Sequence, residues 1–111
     1  MRQFCTAIVE RQRDFFDHFE TQPYEAGWAS EGIFFVRVEE VAGHDPRLGA
    51  RVQISADGVR WLDEGTVLAP ITEVGDYFVR VSHFGGWLRL NGEIAGQDSR
   101  FKLTVQLVLK E

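Results

Sequence analysis

Cysteine is almost missing from this sequence. The 111-residue chain has one, Cys5, so no intramolecular disulfide can staple it, and no Cys/His spacing suggests zinc. Positive charge is in deficit: twelve Lys and Arg against seventeen Asp and Glu leave a net charge of −5. A field of that sign does not draw in phosphate backbones, so no nucleic-acid partner is expected. No apolar run approaches the roughly 20 residues a membrane helix needs, which argues against a membrane partner. Residues 1–13 lack the apolar centre of a secretory signal and carry Glu10 and several Arg. The expectation is a chain cytoplasmic when synthesised, compatible with later assembly into a particle.

Catalytic groupings are also lacking. His18, His44 and His83 are scattered, and none pairs with Cys, Ser or Glu at a diagnostic spacing. Asp57, Asp63 and Glu64 are not spaced as a calcium loop, and Phe84-Gly85-Gly86 has no following helix to bind a phosphate. No catalytic residue, metal or cofactor is expected, and the chain reads as a non-enzyme.

Aromatics, by contrast, are plentiful: nine Phe, three Trp and two Tyr. Such side chains suit a pleated, half-buried surface. The clearest pattern is strict alternation, in which Phe101, Leu103, Val105, Leu107 and Leu109 alternate with Lys102, Thr104, Gln106 and Val108. That period of two marks a strand with one buried face. The same alternation sets Phe34, Val36 and Val38 against Phe35, Arg37 and Glu39, and Val52 and Ile54 against Arg51, Gln53 and Ser55. It recurs with Tyr77, Val79 and Val81 against Phe78, Arg80 and Ser82, and with Leu88, Leu90 and Ile94 against Trp87, Arg89 and Glu93. Turn chemistry separates these runs. Asp57-Gly58 predicts a tight hairpin, and loops are expected at residues 43–49, at Gly75, at Gly85-Gly86 and at residues 95–99. Asn91-Gly92 reads as a turn or as a bulge inside its strand. Residues 11–19 could form a helical turn by composition, but their alternation favours an extended segment.

These signals predict one domain over residues 1–111, with residues 1–30 less regular. The fold expected is an all-β, antiparallel two-sheet β-sandwich, jelly-roll-like, of about seven or eight short strands.

The stretch Ser55-Ala56-Asp57-Gly58-Val59-Arg60-Trp61, followed later by Tyr77-Phe78-Val79-Arg80-Val81, resembles the S-x-D-G-x-x-W hairpin of jelly-roll sandwiches. Two groups share it: the discoidin-like, galactose-binding-like modules, and small sandwich proteins of phage heads and tails. The resemblance covers roughly residues 33–109, and the phage-type pattern fits the chain length better. It implies a sandwich fold, and it places ligand loops at one end in the discoidin-like case. No binding residue transfers from either group. Trp61 is expected to plug the core.

The candidate contact residues are Trp87, Arg89, Phe84, Tyr24 and Trp28. Phe84 and Trp87 flank two glycines, and Arg89 follows on the same strand face as Trp87. An aromatic beside an Arg can stack on a sugar or anchor a protein; alternatively Trp87 caps the open end of the sandwich. Tyr24 and Trp28, with Phe15, Phe16 and Phe19, either close one end of the core or face another subunit. The expected function is a non-enzymatic assembly module, an accessory structural protein of a phage-like or other multi-subunit particle. Its partner is expected to be protein, chiefly itself, with residues 4–28 packing on a neighbouring subunit. The alternative is a carbohydrate-binding module with a glycan partner.

Overall fold

The computed structural model describes residues 3–82 and 84–111, so His83 lies outside the described residues. Seven strands follow one another: β1 (Phe4–Phe15), β2 (His18–Glu20), β3 (Tyr24–Glu25), β4 (Glu31–Ser55), β5 (Leu62–Ile71), β6 (Gly75–Ser82) and β7 (Trp87–Lys110). Every pairing is antiparallel. No described residue is helical, so the chain is all-β, and residues 11–15 are extended, as their alternation suggested.

The strands are not all short. β4 has 25 residues and β7 has 24, and they pair along their whole length, from Glu31 opposite Lys110 to Ser55 opposite Trp87. The sequence breaks at residues 43–49 and 95–99 are therefore not loops between strands. They are a corner in a continuous ribbon, where the register shifts at Val38/Glu40, Ala42/His44 and His44/Arg47. Gly43, Asp45, Gly96 and Asp98 all take positive φ there, which lets the ribbon kink without leaving the ladder. The corner also resets the pleat. Leu88, Leu90 and Ile94 point inward before it on β7, and Phe101, Leu103, Val105, Leu107 and Leu109 after it, so the inward set passes from even to odd numbers.

Splitting β4 and β7 at the corner resolves the topology. One layer runs β1, the second half of β7, the first half of β4, then β6. The other runs β2 and β3, the first half of β7, the second half of β4, then β5. Numbered as eight consecutive segments, with β2 and β3 counted as one, the layers read 1-8-3-6 and 2-7-4-5. That is a two-sheet jelly roll, in which two strands cross from one sheet to the other at a bulged corner. One hydrophobic cluster joins the layers: Phe34, Val36 and Val38 of the first share it with Leu48, Val52, Leu88 and Leu90 of the second. The shortest dimension, 19 Å, suits two sheets about 10 Å apart.

The Asp57-Gly58 hairpin is wider than the sequence suggests. β4 and β5 last pair at Ile54 and Leu62, leaving a seven-residue connection rather than a two-residue turn. Gly58 does have positive φ, at 80°. Side chains shape the loop. The Ser55 hydroxyl accepts from the Gly58 N–H at 2.8 Å, and Asp57 Oδ1 accepts from the N–H groups of Val59 and Arg60 at 2.9 and 3.0 Å.

Candidate functional site

The sandwich offers two outward sheet faces, and the candidate residues divide between the core and one of them. Phe84 is buried in the link between β6 and β7, inside the core and not available as a contact. Phe15 and Phe19 are also buried, stacked edge-to-face with ring centres 4.8 Å apart. Much of the N-terminal aromatic excess therefore fills this chain's own core, because β1 and β2 are full members of the two sheets. Phe16 and Trp28 remain exposed. Tyr24, half-buried on β3, sets its hydroxyl 3.6 Å from the Cys5 thiol, and that contact raises the phenol's pKa.

Trp87 and Arg89 lie on the outer face of the second sheet. Trp87 sits opposite Ser55 on one side and Glu25 on the other, half-buried. The Asp57-Gly58 loop folds over it: a Cβ built on Gly58 would lie 3.2 Å from the indole ring. Trp61 is half-buried rather than a core plug, because its ring is covered by the Arg89 guanidinium, 4.2 Å from the ring centre. Arg89 is held further by Gln53 Oε1 at 2.8 Å and Glu20 Oε1 at 3.0 Å. One register step along, Asn91 donates to Glu20 at 3.1 Å and accepts from Arg51 at 3.2 Å. Arg51 also binds Glu93, holding that carboxylate below its ordinary pKa. The face is a closed polar network, with both indoles partly covered.

The outer face of the first sheet differs. Phe35 and Phe78 are directly opposite each other on β4 and β6, with exposures of 41% and 50% and ring centres 6.2 Å apart. Ile33 and Val108 lie one step along the same face, and exposed Ile8 continues it across β7 to β1. Charges frame the aromatic pair: Arg80 stacks on Phe78 at 5.0 Å, and Arg37 binds Asp76 at 3.0 Å, which raises the pKa of Arg37. Sequence reasoning missed this patch. The signal was there, since Phe35 and Phe78 occupy the polar phase of their own alternations.

No three His, Cys, Asp or Glu among the described residues come together to hold a metal ion. A cavity of about 390 Å³ is lined by Ile33, Arg80, Val108 and Lys110 of the first sheet and by Glu64 and Thr66 of β5. Alongside it, a groove of about 440 Å³ separates Val67–Ala69 of β5 from Asp76–Val79 of β6.

No family model matches the chain, and no curated protein does. Among solved structures it is similar to a chain in the structure of infectious bursal disease virus, Gx strain, with a TM-score of 0.61 at 13% identity over 98% of this chain. It spans about a third of that viral chain, 32%. The crystal structure of FLHE gives a TM-score of 0.42 at 10% identity, over 99% of this chain and 95% of that one. At 13% identity the likeness to the viral chain is one of fold.

Proposed function

We propose that this chain is a non-enzymatic assembly module, a structural subunit of a phage-like or other multi-subunit particle, made in the cytoplasm and associating with copies of itself. The observation that carries the reading is the Phe35–Phe78 pair, two large aromatics exposed side by side on an outer sheet face and continued by Ile33, Val108 and Ile8. Clustered exposed apolar groups of this kind mark protein interfaces. A jelly roll shared with a chain of a virus structure supports the same direction at the level of fold. Sedimentation equilibrium over a wide range of protein concentration tests it: a mass above that of one chain is expected, and a single-chain mass at every concentration overturns self-association.

A second reading is a glycan-binding module, with Trp61 and Trp87 beside the hydrogen-bonding groups of Glu20, Gln53 and Asn91. It is the weaker of the two, because Arg89 and the Gly58 loop already cover the indole faces. A broad glycan array tests it: binding that disappears in a folded Trp87→Ala variant supports it, and no binding by the parent chain overturns it.

A further inference from the structure

We infer that two copies of this chain join edge to edge through β6, in antiparallel register about a two-fold axis at Phe78, making one continuous sheet across the pair. The inference rests on the assembly reading and deepens it by naming the surface, the symmetry and the partner.

An edge strand offers unpaired N–H and C=O groups to any second strand, and proteins ordinarily blunt such edges with bulges, Pro or short strands. The edges of this sandwich are treated unequally. β1 has register shifts between Ile8 and Glu10 and between Glu10 and Arg13, with Gln12 at positive φ. β5 has two shifts against β4, Pro70 near its end and Gly65 at positive φ. β2 and β3 are three and two residues long. β6 has no register shift and no Pro, and its one positive-φ residue, Gly75, is its first: its eight residues pair with β4 in unbroken register, from Glu31 opposite Ser82 to Val38 opposite Gly75. Its other side faces the open groove along β5.

The charges on β6 choose the partner. Asp76, Phe78 and Arg80 alternate on its outward face, all exposed. In a two-fold antiparallel pair centred on Phe78, residue 76 of each copy stands opposite residue 80 of the other. Asp76 then meets the partner's Arg80 twice over, and Phe78 meets the partner's Phe78. Shifting the centre to Tyr77 or Val79, the adjacent registers that keep outward residues on the same face, loses both charge pairs. Opposite charges directly across a ladder favour pairing, and like charges oppose it. The joined sheet also sets Phe35 and Phe78 of each copy side by side in a row of four rings on one outer face, so that the two Phe78 rings shield each other's edges. A partner contacting the same residue on both sides is the isologous contact of a closed dimer.

The test uses two full-length variants, Arg80→Asp and Asp76→Arg. In the first, β6 is acidic at both positions; in the second, it is basic at both. Each alone should dimerise about tenfold more weakly or worse than the parent by sedimentation equilibrium. Mixed, with one variant fluorescently labelled, they should form a one-to-one heterodimer, because each position again faces its opposite. Circular dichroism and thermal melting of each variant establish that it remains folded, and recovery in the mixture excludes simple misfolding. If the parent self-associates but the variants associate equally well alone and gain nothing on mixing, the β6 contact is overturned and the assembly reading stands. A parent that remains a single chain at every concentration overturns both.

Discussion

Gly92 crosses β4 so closely that a Cβ built on it would lie 1.8 Å from the Gly49 carbonyl oxygen and 2.8 Å from the Ala50 Cα. Gly92 is buried on β7, opposite Ala50, where the central strands of the second sheet meet. The contact is backbone against backbone, so no flexible side chain can move aside. Gly92→Ala should therefore force the two central strands apart and destabilise the domain by about 1–3 kcal/mol or more. Urea denaturation reads the outcome, and an unchanged midpoint would show that the crossing relaxes freely. Gly49→Ala is the control, because a Cβ there meets nothing within 4 Å.

Val105 and Gln106 are neighbours with opposite fates. Val105 is fully buried between β1 and β4, and Gln106 faces solvent between Phe35 and Ile8. Val105→Asp should unfold the domain, since it buries a charge without a counterion. Gln106→Asp should change stability by about 0.5 kcal/mol or less. Circular dichroism of the two variants distinguishes them, and equal effects would contradict the register of β7.

The loop after β4 should make stability depend on pH. The Asp57 carboxylate is held below its ordinary pKa, first by the N–H of Arg60, then by that of Val59 and by the Ser55 hydroxyl. A carboxyl lowered in the folded state stabilises the fold at pH values above its unfolded pKa, and this contribution is lost as pH falls through the folded pKa. The melting temperature of Asp57→Ala should thus lie below that of the parent at pH 7, and the gap should close below about pH 4. A gap that stays constant down to pH 2.5 would assign the effect to something other than the carboxylate.

Arg89 ties three strands of the second sheet together through Glu20, Gln53 and the Trp61 ring. Its side chain is 15% exposed, so water replaces these contacts poorly. Arg89→Ala should destabilise the domain by about 1–3 kcal/mol. Arg89→Lys should recover little of that, because an ammonium cannot both stack on the indole and bridge two acceptors. Full recovery by Lys would reduce the role of Arg89 to charge alone.

Much of the fold was legible because alternation is a local property. Phe101 to Leu109, and Phe34, Val36 and Val38, show their burial in the order of their neighbours. The corner was not legible in the same way. Gly43, Asp45 and Gly96 look like loop residues, and only the pairing of His44 with Gln97 shows that they keep two strands joined through a kink. The contact residues were harder still. Trp87 and Arg89 were visible as an aromatic and a cation on one strand face, but Gly58 and Glu20, which cover and hold them, lie more than twenty residues away in sequence. The Phe35–Phe78 patch joins residues 43 positions apart, so no short window contains it.

The placement of β7 has a consequence for the order in which this protein can acquire its structure. β7 lies at the interior of both sheets, between β1 and β4 in one and between β2, β3 and β4 in the other. β1 pairs with it across about a hundred positions of sequence, as when Phe4 meets Lys110. Non-local pairing of this kind is slow, on the order of milliseconds to seconds, because loop closure comes before its reward. A nascent chain ending before Trp87 would hold β1, β2 and β3 with nothing to pair with, leaving Phe15 and Phe19 exposed to whatever is nearby. β4, β5 and β6 can pair before β7 is made, but β1, β2 and β3 can join their sheets only after it, so neither sheet is complete until the end of the chain has been synthesised.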